Sequence, residues 1–175
     1  MPNKGLFILV EGSDDERLIR HIYQTSLRDR YQWIKFYQYS QRKPKQIRAF
    51  IRSIRSLNAD YLFFSDIDLE PCITSKKEKL AKKYQGLNPQ RTQIVVIEIE
   101  SWYMAGIDYS SSEKLNLSKL PDQTNKLTKE KFDDLIPKRF DSRIDFMKEI
   151  LKYFSFDRAK DANASFNYFS NRYGK

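Results

Sequence analysis

Four short stretches of strand character alternate with helix signatures over the first hundred residues, and that alternation restricts the chain to few architectures. Residues 6–10 (Leu-Phe-Ile-Leu-Val) form a continuous apolar run of buried-strand length. Ser13-Asp14-Asp15-Glu16 then supplies a helix start with acidic first-turn residues, and Leu18, Ile19, Ile22 and Tyr23 are its apolar side. Residues 33–39 read as a second strand by their aromatic, alternating character. Pro44 opens a second helix, expected to run to Leu57. Ile47, Phe50, Ile51, Ile54 and Leu57 form one stripe of it, and Lys45, Arg48, Arg52 and Arg55 fall on the opposite side. Residues 61–65, a charged helix over 74–84 and a strand over 92–97 complete the pattern. Such alternation predicts an α/β fold, a mostly parallel four-stranded sheet with helices on both faces.

After Trp102 the pattern changes. Residues 110–128 are polar and loop-like, while 129–135, 142–154 and 159–168 have helical spacing. The expected division is an α/β core over 1–107 and a helical C-terminal region over 108–175 packed on it. At 175 residues, 40% of them hydrophobic, the chain is long enough for a real core. A lone cysteine, Cys72, excludes an internal disulfide and a Cys-cluster zinc site. The N-terminus carries no secretory pattern and no apolar run is long enough to span a bilayer, so a cytoplasmic protein without membrane association is expected.

The strand ends carry the chemistry. Glu11-Gly12 follows the first apolar run, Asp66 and Asp68 follow the third, and Glu98 and Glu100 close the fourth. Carboxylates at the rim of a buried sheet are costly unless something cationic compensates them. The C-terminal strand ends are also where open α/β sheets place their ligands. Three acidic strand ends predict one site for a hard divalent cation, Mg²⁺ or Mn²⁺, held by oxygen ligands. Asp66 and Asp68 are spaced i, i+2, as are Glu98 and Glu100, which in an extended segment share one side. The sequence leaves open which of the two glutamates faces the cation.

A net charge of +9 favours a polyanionic partner. From Arg30 to Ala59 there is no acidic residue, and Lys45, Arg48, Arg52 and Arg55 make one helix face basic, a footprint for nucleic-acid phosphates. Tyr37 and Tyr39, interleaved with this charge, suit base stacking. Lys76, shortly after the Asp-x-Asp, is placed to neutralise a phosphate. His21, mid-helix, and Cys72, without a histidine partner, read as structural or surface residues. Trp102 and Tyr103 read as packing for the fourth strand.

Glu11-Gly12 after the first strand, followed by Asp66-x-Asp68 after a later one, resembles the signature of the Toprim domain of topoisomerases, primases and overcoming-lysogenization-defect nucleases. The run from Ile97 to Ala105 also looks like a motif of small bacterial Toprim-like proteins, some linked to phage defence. The resemblance covers about residues 5–107. It implies a metal-dependent nuclease in which Glu11 acts as general acid/base or metal ligand. Asp66 and Asp68 hold Mg²⁺ or Mn²⁺, and Glu100, or otherwise Glu98, completes the site. No zinc module, gate domain or nucleotide-binding Gly-x-x-x-x-Gly-Lys-Ser/Thr loop accompanies the core. The alternative expectation is a non-catalytic nucleic-acid-binding or regulatory subunit working with a separate ATPase or effector chain; for the protein in general, the expected protein partner is a second copy of itself or such a separate chain.

Overall fold

The computed structural model describes residues 4–173, the side chains of residues 24–26 excepted. Strands β1 (Gly5–Val10), β2 (Trp33–Gln38), β3 (Asp60–Asp66) and β4 (Thr92–Val95) form a parallel sheet in the order β2-β1-β3-β4. β1 is flanked on both sides, by β2 in register Val10↔Gln38 and by β3 in register Leu9↔Phe63. That double flanking explains its unbroken apolar sequence, because every residue of β1 is buried.

Between the strands run α1 (Ser13–Arg28), α2 (Pro44–Ser56) and α3 (Ile73–Lys83). Strand pleating sends Phe7, Leu9, Tyr61 and Phe63 to one face, where they pack with Ile47, Ile51 and Ile54 of α2 and Leu80 of α3. The alternate residues Leu6 and Ile8 turn to the other face. α1 covers that side, with the Arg20 guanidinium 4.2 Å from the ring centre of Phe36 on β2. Helices therefore lie on both faces, as the sequence pattern requires. Leu57 departs from its expected place in the α2 stripe: the helix stops at Ser56 and Leu57 is 61% exposed.

Gly5 is required by a close approach. A Cβ built on it would lie 1.9 Å from the Trp33 ring, which packs edge-on to Phe7 with ring centres 5.0 Å apart.

The chain divides into two compact units, residues 4–94 with Tyr173, and Val95–Arg172. The division falls inside β4, earlier than the 107/108 boundary expected. Packing of Trp102 accounts for this. Its indole nitrogen donates to Ser165 Oγ at 2.7 Å, and its ring meets Phe166 and Phe169, all within the second unit. Trp102 thus anchors a helical core.

The second unit contains α4 (Ile99–Ala105), α5 (Tyr109–Leu115), α6 (Lys129–Asp134), α7 (Arg143–Lys152), α8 (Phe156–Ala162) and, except for its last residue, α9 (Ala164–Tyr173). α5 lies in the stretch expected to be loop, capped by Asp108, whose side chain accepts from Ser111 N–H at 2.7 Å. The helix expected over 159–168 is two helices. Asn163 is extended between them, accepts from Ser165 Oγ and the Phe166 amide, and donates to Ser101 and Thr124. A buried, fully bonded asparagine competes successfully with continuation of the helix. Among the described residues no helix is long and apolar enough to cross a membrane.

Candidate active site

The parallel register brings the C-terminal ends of β1, β2 and β3 together, and Glu11 is the residue they converge on. Its Oε1 lies 3.1 Å from Tyr39 Oη, 2.9 Å from Ser65 Oγ and 3.4 Å from the Asp66 amide. Tyr39 follows β2, and Ser65 and Asp66 end β3, so three successive strand connections contribute. The Tyr39 hydroxyl also lies 2.7 Å from the Phe64 carbonyl, so its one proton is shared between two acceptors. Burial and the neighbouring Glu11 charge push the phenol well above its usual range, which keeps it a donor at any physiological pH.

Asp15, in the first turn of α1, is buried and accepts from the Gly12 amide at 3.1 Å. Desolvation, and then the charge of Glu11, raise its carboxyl from 3.8 to about 7. The sequence reading took Asp15 for an ordinary helix-start acid and missed this coupling. A run of three acids is more than a helix start needs, and that surplus was the available signal.

Asp68 stands on the turn after β3 with a left-handed φ of 52°. Its Oδ2 pairs with Lys76 Nζ of α3. The pair is asymmetric: the lysine side chain is 5% exposed, the aspartate 60%. Glu11, Tyr39, Arg42, Lys76, Lys83 and Tyr84 are among the residues that line a cavity of about 260 Å³ at this rim.

The third acidic cluster belongs to the second unit and is engaged there. The strand expected to run to Ile97 ends at Val95, and a helix starts at Ile99, so Glu98 and Glu100 do not share one side of an extended segment. Glu98 accepts from the Lys129 amide at the start of α6. Glu100 is buried and ion-paired with Arg143, which also lies 3.5 Å from Asp133. Between β4 and α4, Ile97 holds a φ of 69°, a strained value for a β-branched residue.

On α2, Lys45, Arg52 and Arg55 are exposed and Arg48 is half-buried. Arg55 donates to the Gly86 carbonyl at 2.9 Å. Tyr39 is buried and stacked on Phe63, so it is not presented for base stacking, whereas Tyr37 is half-buried with one ring face on Phe50, ring centres 4.1 Å apart.

Among the described residues, no group of three or more His, Cys, Asp or Glu side chains is placed to hold a metal ion. A closed protein cage is therefore not built. The donors at the β1 and β3 ends, Glu11 and Asp66, are hard oxygens on adjacent strands. That set fits a cation taking one or two carboxylates and completing its shell with water and substrate phosphate, the usual habit of Mg²⁺. No family model, curated protein or solved structure matches the chain.

Proposed function

We propose that the chain is a Toprim-like, metal-dependent nuclease that hydrolyses phosphodiester bonds of DNA or RNA at the rim around Glu11. The observation that carries this reading is the setting of Glu11. Its carboxylate is oriented by Tyr39 and Ser65 and borders a cavity whose other walls include Arg42, Lys76 and Lys83. A positioned carboxylate beside clustered cations is suited to a reaction at an anionic phosphate, where charge must be bound and a proton moved.

In this reading Glu11 takes the proton of the attacking water on Oε2, while the hydrogen bonds of Tyr39 and Ser65 to Oε1 hold the carboxylate in orientation. The cations of the cavity draw the phosphate to the rim. Glu11 and Asp66 are the residues that would hold Mg²⁺ or Mn²⁺, which would supply Lewis-acid polarisation of the phosphoryl oxygen. Cleavage of single- and double-stranded DNA and RNA, with and without Mn²⁺, tests this. Glu11→Ala and Asp66→Ala are expected to lose activity by about 10²-fold or more. Equal cleavage by all three proteins, or none under any metal, rejects the catalytic reading.

One observation favours a second reading, a non-catalytic nucleic-acid-binding subunit. Lys45, Arg48, Arg52 and Arg55 form a basic face on α2, and no ion pair joins them to a carboxylate among the described residues. Under it, reversing Arg48 and Arg52 to glutamate abolishes binding while Asp66→Ala changes nothing.

A further inference from the structure

We propose that the cavity between the 40–44 segment and α3 is a phosphate-binding subsite, with Lys76 as its buried ligand and Asp68 as a removable counter-charge. The inference rests on the phosphate-directed reading of the same rim, but it gives Asp68 a role opposite to that of a cation ligand.

The argument starts from the burial of the ion pair. Lys76, on α3, is buried, whereas Asp68 reaches it from an exposed position on the turn after β3. Leu69, next on that turn, is 99% exposed, whereas Ile67 on the other side of Asp68 packs against the core, so the tip at Asp68 and Leu69 is the part free of packing. Its base is anchored instead: the Glu70 amide donates to the Ile67 carbonyl at 3.2 Å, and Glu70 is bonded by Ser75 and Lys79. Asp68 can therefore leave at little packing cost, while Lys76 cannot follow it.

A buried ammonium left without a counter-ion is strongly disfavoured, so Asp68 leaves only when another anion replaces it. A phosphate brings at least one negative charge and several acceptor oxygens, and an ammonium is a common phosphate binder. Arg42 and Lys83 line the same cavity. Among the described residues neither is ion-paired to a carboxylate; each lies instead near an aromatic ring, Tyr37 and Tyr84 respectively. Of the charged lining residues three are cationic and two, Glu11 and Asp68, are anionic. Neutralising Asp68 would leave the cavity strongly attractive to anions.

Size narrows the ligand. At about 260 Å³ the cavity is below the range of roughly 300–1,000 Å³ usual for whole drug-sized ligands. It suits a phosphoryl group with part of its ester, not a complete dinucleotide.

The test is titration of the metal-free protein, in EDTA, with inorganic phosphate and then with a short oligonucleotide carrying or lacking a 5′-phosphate. Asp68→Asn is expected to tighten phosphate binding about tenfold, since it removes the competing charge. Lys76→Met is expected to lose binding by a similar factor or more. Arg42→Ala, an exposed substitution that leaves the fold intact, is expected to weaken it severalfold. Competition between phosphate and the 5′-phosphorylated oligomer alone assigns the pocket to a terminal monoester. Competition with both oligomers assigns it to a strand diester. Phosphate binding that is undetectable in Asp68→Asn, or weaker there than in wild type, overturns the proposal. Phosphate uptake in a protein that cleaves nothing rejects the nuclease reading and leaves the subsite standing. Metal-dependent cleavage with phosphate binding indifferent to residues 68, 76 and 42 does the reverse.

Discussion

The hydroxyl of Tyr39 lies 3.1 Å from Glu11 Oε1 and 2.7 Å from the carbonyl of Phe64, so one buried phenol ties together the ends of β1, β2 and β3. Tyr39→Phe removes the hydroxyl and leaves both acceptors short of a donor. It is expected to cost about 1–3 kcal/mol in urea denaturation. Ser65→Ala, which removes the other hydroxyl at 2.9 Å from Glu11, is expected to cost less, because the phenol remains.

Asp15 gives stability a distinctive pH dependence. Its carboxyl is raised in the folded chain from 3.8 to about 7, so between those values the folded state holds a proton that the unfolded state has lost. Stability from this group is therefore full below about pH 4 and falls as pH rises through 7, by on the order of 3–4 kcal/mol. Thermal melts between pH 4 and 8 should show wild type losing stability up to about pH 7 and levelling above it. Asp15→Asn, which cannot ionise, should flatten that decline.

Glu100 and Glu98 are separable without any metal. Glu100→Gln, at a buried position, leaves the half-buried Arg143 without its closest carboxylate and is expected to destabilise by about 1–3 kcal/mol. Glu98→Gln, which keeps an oxygen able to accept from the Lys129 amide, should change stability by less than about 1 kcal/mol. Metal-free denaturation of the two variants measures both, and equal effects would contradict this assignment of Glu100.

Gly5→Ala places a methyl inside the Trp33 ring. Overpacking of this kind is expected to cost about 1–3 kcal/mol and to shift Trp33 outward. The change is readable as a red-shifted tryptophan emission, because the other tryptophan, Trp102, is fully buried in the second unit.

Much of the first unit was legible in the amino-acid order. Apolar runs at 6–10 and 61–65 can be satisfied only by strands buried on both faces, and Ile47, Ile51 and Ile54 recur at helical spacing because one side of α2 meets the sheet. The segment after Trp102 was less legible. α5 has few apolar residues, and Asn163 breaks a helix through side-chain bonds to residues distant in sequence. Neither leaves a periodic signal.

The acidic strand ends show the same limit. Local sequence determined that Glu11, Asp66 and Asp68 would stand at one edge of a parallel sheet, because strand direction and strand ends are encoded in short apolar runs and their terminators. Their partners were decided by tertiary structure alone. Hydrogen bonding assigned Glu11 to Tyr39 and Ser65, burial coupled Asp15 to Glu11, and ion pairing assigned Asp68 to Lys76 and Glu100 to Arg143. Each of those pairings depends on desolvation and on distances across the fold, and neither quantity exists until the chain has packed.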